Sequence, residues 1–247
     1  MSVVKKRKFT ASEAVRVEWL RRVQAEYTSA AVTQHFTLWL MQIGASPDLV
    51  RSGLRIAWDE MMHSRLSHEA YVAAGGDRPP ELQRENLGLR RAENEPLEHD
   101  VTRVAVSTFC IGETVAVPLF KNLRQVCKIP PARRVLDRVL RDEVRHRDFG
   151  WSVLGWLLEG PAGDSLRSVA TRSLPRSFER IRMAYGASLR HLAVMPDADR
   201  QWGLMPPAEY ADIVEKTLVR DWIPRFGNVG IDARRAWDAS LAMATPA

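Results

Sequence analysis

The sequence predicts an all-α protein: a four-helix bundle of two antiparallel hairpins joined by one long crossover, then a C-terminal helical extension. Three observations predict it. Helix start and stop signals recur so that the first 160 residues divide into segments of roughly 25–33 residues. Sustained alternating apolar runs and Asn-Gly or Asp-Gly hairpin signals are absent. The joints between the long segments run short, long, short, which is what two hairpins and one crossover require.

The elements follow in order. Thr10-Ala11-Ser12-Glu13 reads as a capping box opening a helix that runs to about Ile43, with Gly44 as its stop. Ser46 and Pro47 restart the chain as N-cap and first helical residue, and this second helix runs to about Ala73. Residues 74–95 are polar and interrupted by Gly and Pro, long enough to cross from one end of a bundle to the other. A third helix is expected from Pro96 to Cys127, a tight turn at Lys128-Ile129-Pro130, and a fourth from Pro131 to Gly160. Beyond it, shorter helices are expected at 164–172, 175–192, 207–222 and 231–243, punctuated by Pro175, Pro196, Pro206-Pro207 and Pro224. The chain thus divides into a basic tail (1–10), the bundle (11–159) and an extension packed on it (160–247).

Bulk properties bound the function. The 247 residues are 45% hydrophobic and 27% charged, ordinary for a globular protein with a large core. No apolar run approaches 18 residues, so no membrane span is expected. The start lacks an apolar h-region, and two Cys 17 residues apart form neither a disulfide framework nor a zinc pattern. A cytoplasmic location is expected. The net charge of +6 permits an anionic partner, but the basic residues are mostly Arg interspersed with Glu and Asp, the pattern of solvated helix faces. Nucleic acid is therefore not the expected partner.

The chemistry is carried by a repeated pentapeptide, Asp59-Glu60-Met61-Met62-His63 and Asp142-Glu143-Val144-Arg145-His146. Residues three apart share a helix face, so Glu60 and His63 point one way, as do Glu143 and His146. A carboxylate and an imidazole offered together are half of a metal site, and two such halves point to a pair of metals. Composition alone predicts about 0.4 Glu-x-x-His matches in this chain, and both copies here also carry the preceding Asp.

On these motifs the chain resembles the ferritin-like diiron-carboxylate superfamily over about residues 11–159. In that architecture two helices each give a Glu and the other two each give Glu-x-x-His. The resemblance implies Glu60, His63, Glu143 and His146 as ligands, joined by Glu113, 30 residues before Glu143, and Glu26, 34 residues before Glu60. Glu18 is the rival to Glu26, two turns further from the metals. Four carboxylates and two imidazoles suit two iron ions (Fe2+/Fe3+), or a manganese–iron pair, with positions left for O2. The resemblance also implies that Asp142 holds the ring of His63 and Asp59 that of His146, because a metal-bound imidazole usually donates its second N–H to a carboxylate.

Helical spacing places small residues beside the ligands: Ala30 and Thr33 near Glu26, Gly53 and Ala57 near Glu60, Cys110, Ala116 and Val117 near Glu113, Val139 and Gly150 near Glu143. They either leave a substrate pocket or allow close helix packing. Pro118, five residues after Glu113, either opens room at the metals through a kink or bulge or serves packing. His35, His68, His99 and His191 do not share the ligand faces.

Within the superfamily, Ser67 occupies the position where ribonucleotide reductases usually carry a radical Tyr, and Val139 the position where diiron N-oxygenases often carry a third His. The remaining expectation is an O2-activating oxygenase or oxidase acting on a small organic molecule by hydroxylation, desaturation or bond cleavage. Two further readings stay open: a ferroxidase or peroxide-detoxifying protein, and a tRNA-modifying hydroxylase. No flavin, dinucleotide or iron–sulfur pattern is present, so electrons not supplied by the substrate would come from a separate ferredoxin or reductase. A homodimer is compatible with this reading.

Overall fold

The computed structural model describes residues 11–185 and 195–243, and every described regular element is helical. The expected basic tail, Thr10, the end of the helix placed at 175–192, and His191 lie outside the described residues. Four long helices build the body: α1 (Glu13–Gln42), α2 (Pro47–Ala73), α3 (Leu97–Val126) and α4 (Pro130–Glu159). After them come α5 (Gly163–Ala184), a single turn at Asp197–Arg200, α6 (Pro207–Thr217) and α7 (Ala233–Met243). The chain continues helically from α6 through Leu218–Trp222 and Ile223–Gly227.

Local chemistry sets the ends. Ser12, not Thr10, caps α1: its hydroxyl accepts from the Val15 N–H at 3.2 Å, satisfying an otherwise unpaired donor of the first turn. Ser46 does the same for Leu49 at 3.4 Å, with Pro47 in the first turn of α2. Gly44 takes the turn between them at φ +76°, a conformation that costs a residue with a Cβ dearly.

Cross-helix contacts give the arrangement. Ser64 donates to the Val23 carbonyl at 2.9 Å while Gly53 backs onto Thr37, so α1 and α2 run antiparallel. Trp151 donates to Thr114 at 3.0 Å and Arg124 pairs with Asp137, so α3 and α4 do likewise. The crossover runs the length of α1: Arg78 reaches Glu13, Gln24 donates to the Glu81 carbonyl, and the His35 ring accepts from the Leu89 N–H. This delivers the chain to the far end before α3 begins. Phe36, Phe109 and Phe149 join the two hairpins, with Phe109 lying 5.0 Å from Phe36 and 5.2 Å from Phe149 between ring centres. Burying a ring of this size contributes about 1.5–3 kcal/mol.

α3 is the irregular member. Its middle, Ala105–Glu113, is π-helical, ending on a candidate ligand. The irregularity thus lies ahead of Pro118 rather than at it. Within it, Phe109 fits against Gly150 and the Cys110 carbonyl accepts the Trp222 indole N–H at 3.1 Å. By length and composition α3 passes for a membrane span, contrary to the expectation from run length alone, yet half of its most apolar window is buried within the protein. That apolarity belongs to a core helix.

The segments after Gly160 pack on the long helices. Trp19 donates to the Trp202 carbonyl at 3.2 Å, and Phe178 sits 5.3 Å from both Trp222 and Trp237. Pro175 does not break the chain as expected: α5 continues through it. Leu166, Val169 and Ala170 before it and Leu174 and Phe178 after it are all buried, and that burial outweighs the roughly 3 kcal/mol cost of an internal proline.

Candidate metal centre

Two groups of carboxylates and imidazoles meet at the centre of the long helices, each able to hold a metal ion. Glu26, Glu60 and His63 form one, and Glu60, Glu113, Glu143 and His146 the other, with the ligand atoms of each group within 4.8 Å of one another. That spread suits one ion at about 2.0–2.4 Å from each donor. Glu60 belongs to both. Its Oε2 lies 3.6 Å from His63 Nδ1 and its Oε1 3.1 Å from His146 Nδ1, so its two oxygens face opposite halves. The imidazole centres are 5.7 Å apart.

Several of the polar atoms facing inward make no hydrogen bond within the protein. Glu60 Oε2, Glu143 Oε2 and both Nδ1 atoms are buried without a hydrogen bond. Buried polar atoms without hydrogen bonds are costly, and a cation that draws the carboxylates and the deprotonated Nδ1 atoms together removes the cost. α2 and α4 bring Glu60/His63 and Glu143/His146 to one level because each pair is spaced three apart on its helix. Glu26 arrives from the middle of α1 and Glu113 from the end of the π segment of α3.

On the outer side the histidines meet the two leading aspartates crosswise. His63 Nε2 and Asp142 Oδ2 are 3.1 Å apart, a hydrogen bond. His146 Nε2 and Asp59 Oδ2 are 3.7 Å apart, which is longer than a hydrogen bond. Two arginines tie these aspartates together. Arg138 pairs with Asp142 and with Asp59 at 3.2 Å; Arg145 contacts Asp59 at 2.8 Å and Asp142 at 2.6 Å. Spacing offered a clue to both arginines, four residues before and three after Asp142, but their role depends on α2 lying alongside.

Charge states follow from this geometry in the metal-free protein. Burial opposes a charge on His63, but Asp142, Glu26 and Glu60 outweigh it and push its pKa up to about 12. His146 is likewise raised against burial, by Asp59, Glu143 and Glu60. Asp142 is held below its ordinary value despite burial, by His63, Arg138 and Arg145. Glu26 is pushed up to about 8 by burial, against the pull of His63 and with help from Glu60. Glu113 is raised by burial and by the charges of Glu143 and Glu60.

A cavity of about 630 Å³ opens beside the carboxylates. Glu26, Glu60, Glu113 and Glu143 line one end; Ala25, Ala116, Leu119, Phe120 and Leu123 line the wall; Tyr185, Met205 and Tyr210 roof it. None of the eight residues expected at a pocket lines it. Gly53, Gly150 and the buried Ala30, Thr33, Ala57, Cys110 and Val139 belong to the packed interior instead, and Val117 is half-buried. A Cβ on Gly53 would stand 2.4 Å from Thr37 Oγ1, and one on Gly150 2.4 Å from Phe109 Cβ, so these glycines set how closely their helices approach. Ala30, Thr33, Ala57, Cys110 and Val139 are buried in the same helix contacts. Of the small residues flanking the ligands, Ala116 does line the cavity. The roof comes from the extension, and no local spacing pointed to it.

Glu18, the rival ligand, is occupied elsewhere: it pairs with Arg21 at 2.7 Å and Arg22 at 2.9 Å. His35, His68 and His99 lie outside both groups. Compared with known proteins, the chain matches no family model and no curated protein.

Proposed function

We propose that this chain is a ferritin-like non-haem diiron enzyme that activates O2 to oxidise a small organic substrate. The observation that carries the reading is the pair of ligand groups sharing Glu60 beside a cavity large enough for a metabolite. Four carboxylates and two neutral imidazoles balance two Fe2+ ions, and such a pair supplies redox equivalents and a binding position for O2. Manganese in one position fits the same donors.

The residues divide the remaining work. Asp142, fixed by Arg138 and Arg145, holds the His63 ring with its Nδ1 inward, while Asp59 faces His146 Nε2 electrostatically at 3.7 Å. Glu26 and Glu113, like Glu60 and Glu143, line the cavity, and neither is tied to an arginine among the described residues, which leaves each carboxylate freedom to change its contacts as a substrate enters. The apolar wall of Leu119, Phe120 and Leu123 excludes water and positions hydrocarbon. Hydroxylation, desaturation and bond cleavage are all compatible with this frame. Electrons beyond those of the substrate would come from a separate protein donor.

Anaerobic Fe(II) loading, desalting and metal analysis test the reading. The expected result is about two irons per chain, lost in a Glu60→Ala/Glu143→Ala double variant, with O2 consumed on exposure to air. Zero or one iron, or no difference from the variant, would overturn it. Continued Fe(II) oxidation with growth of a ferric core would instead identify an iron-handling protein.

A further inference from the structure

The cavity lining also holds a second charged cluster, one helical turn along α1 from Glu26. Arg22 is 5% exposed and is one of the cavity-lining residues. Its Nε donates to Glu18 Oε1 at 2.9 Å, its Nη2 to the Gly203 carbonyl at 2.8 Å, and its guanidinium stacks on the Trp19 ring at 4.6 Å. Its Nη1 is buried with no hydrogen-bond partner. The Tyr210 hydroxyl interacts with the Arg22 guanidinium without taking its Nη1 in a hydrogen bond, and Arg21, which shares Glu18, is exposed. Two guanidinium groups, those of Arg21 and Arg22, share the single carboxylate of Glu18.

A buried guanidinium held on two arms, with an Nη1 that makes no hydrogen bond within the protein, is a donor fixed in place for a further acceptor. The wall between it and Glu26 is apolar, and Arg22 sits one helical turn, about 6 Å along α1, from Glu26. We propose that Arg22 is the anchor for the carboxylate of an amphipathic monocarboxylic acid, whose hydrocarbon portion extends along Ala25, Ala116 and Leu119 toward the metal ligands. The one free Nη1 matches a single carboxylate oxygen. A guanidinium restrained by stacking and by two other bonds loses little freedom on accepting it. This assignment rests on the reading of the cavity as the substrate site. It makes Arg22 a specificity-determining residue: the acid group is held away from the ligands, so oxidation falls on a carbon some way down the chain.

The test is titration calorimetry with decanoate, decanamide and decyl phosphate, on the metal-free and the Fe(II)-loaded full chain, for wild type, Arg22→Gln and Arg22→Lys. The expected result is that wild type binds decanoate about tenfold or more tightly than decanamide in both metal states. In Arg22→Gln the preference should shrink to within about twofold while decanamide affinity is unchanged, and Arg22→Lys should retain part of it. Comparison of the neutral decanamide with the two charged probes on wild type keeps the test valid even if a variant fails to fold. Equal binding of decanoate and decanamide, tighter binding of decyl phosphate, or an undiminished preference in a folded Arg22→Gln would overturn the assignment. A preference seen only in the iron-loaded protein and kept in Arg22→Gln would place the carboxylate on the metals, and would also overturn it. Iron content is measured on the same samples, so loss of the diiron reading and loss of the Arg22 anchor are told apart.

Discussion

The two faces of the ligand cluster are built on opposite principles. On the α2/α4 face, Asp59, Asp142, Arg138 and Arg145 form a closed lattice in which every carboxylate has a cationic partner. On the α1/α3 face, Glu26 and Glu113 meet a cavity, and burial and like charge raise both carboxyl groups. One face fixes the imidazoles and the other is left strained and open. The difference teaches that in this bundle rigidity and reactivity are separated by side, although all the ligands come from the same four helices.

Breaking the closed face should have the largest effect. Asp142→Ala removes the hydrogen bond to His63 and leaves Arg138 and Arg145 short of a partner, and iron affinity is expected to fall about 10–100-fold. Asp59→Ala should cost less, because its 3.7 Å approach to His146 is looser than the 3.1 Å contact of Asp142. Competitive chelator titration of both variants reads the difference, and equal losses would contradict the asymmetry.

The open face should respond with the opposite sign. In the metal-free protein Glu113→Gln removes a buried repulsion with Glu143 and Glu60, so its stability at pH 8 should rise by about 0.5–2 kcal/mol while iron binding weakens. Urea unfolding with and without Fe(II) measures both. A loss of stability without metal would contradict the strain on this face.

The same contrast predicts a pH dependence. Glu26 has a folded pKa of about 8 against an ordinary value of 4.5, so between these the unfolded chain releases its proton first and stability falls as pH rises. His63, raised to about 12, contributes stability that is full below 6.5 and is lost on the same upward path. Asp142 acts in the other direction: its contribution is present above 3.8 and lost in acid. The melting temperature of the metal-free protein should therefore decline from pH 6 to pH 8.5, and iron loading should flatten that slope. A flat metal-free profile would contradict the charge states assigned to the cluster.

Two smaller changes test what lies behind each face. Gly150→Ala forces a Cβ against Phe109 backbone atoms and should destabilise by about 1–3 kcal/mol, more than Gly53→Ala, whose Cβ meets only the Thr37 side chain. Trp222→Phe removes the indole bond to the Cys110 carbonyl and should cost about 1 kcal/mol, seen as faster amide exchange within Ala105–Glu113.

Much of this molecule was determined by sequence alone. The lengths of α1 to α4, the Gly44 turn and the restart at Pro47 follow from caps and breakers that act within a few residues. The facing of Glu60 with His63 and of Glu143 with His146 follows from helical period, which is equally local. Only the tertiary structure decided which small residues pack and which line a cavity, because Gly53, Gly150 and Ala116 look alike until a neighbouring helix arrives. It also decided that α5 runs on through Pro175, that α3 widens over Ala105–Glu113, and that Arg138 and Arg145 bridge two helices. The roof of the cavity and the buried arm of Arg22 depend on residues about 180 positions away. Contacts at that separation are set by the summed burial of whole faces, and no spacing within a single helix records them.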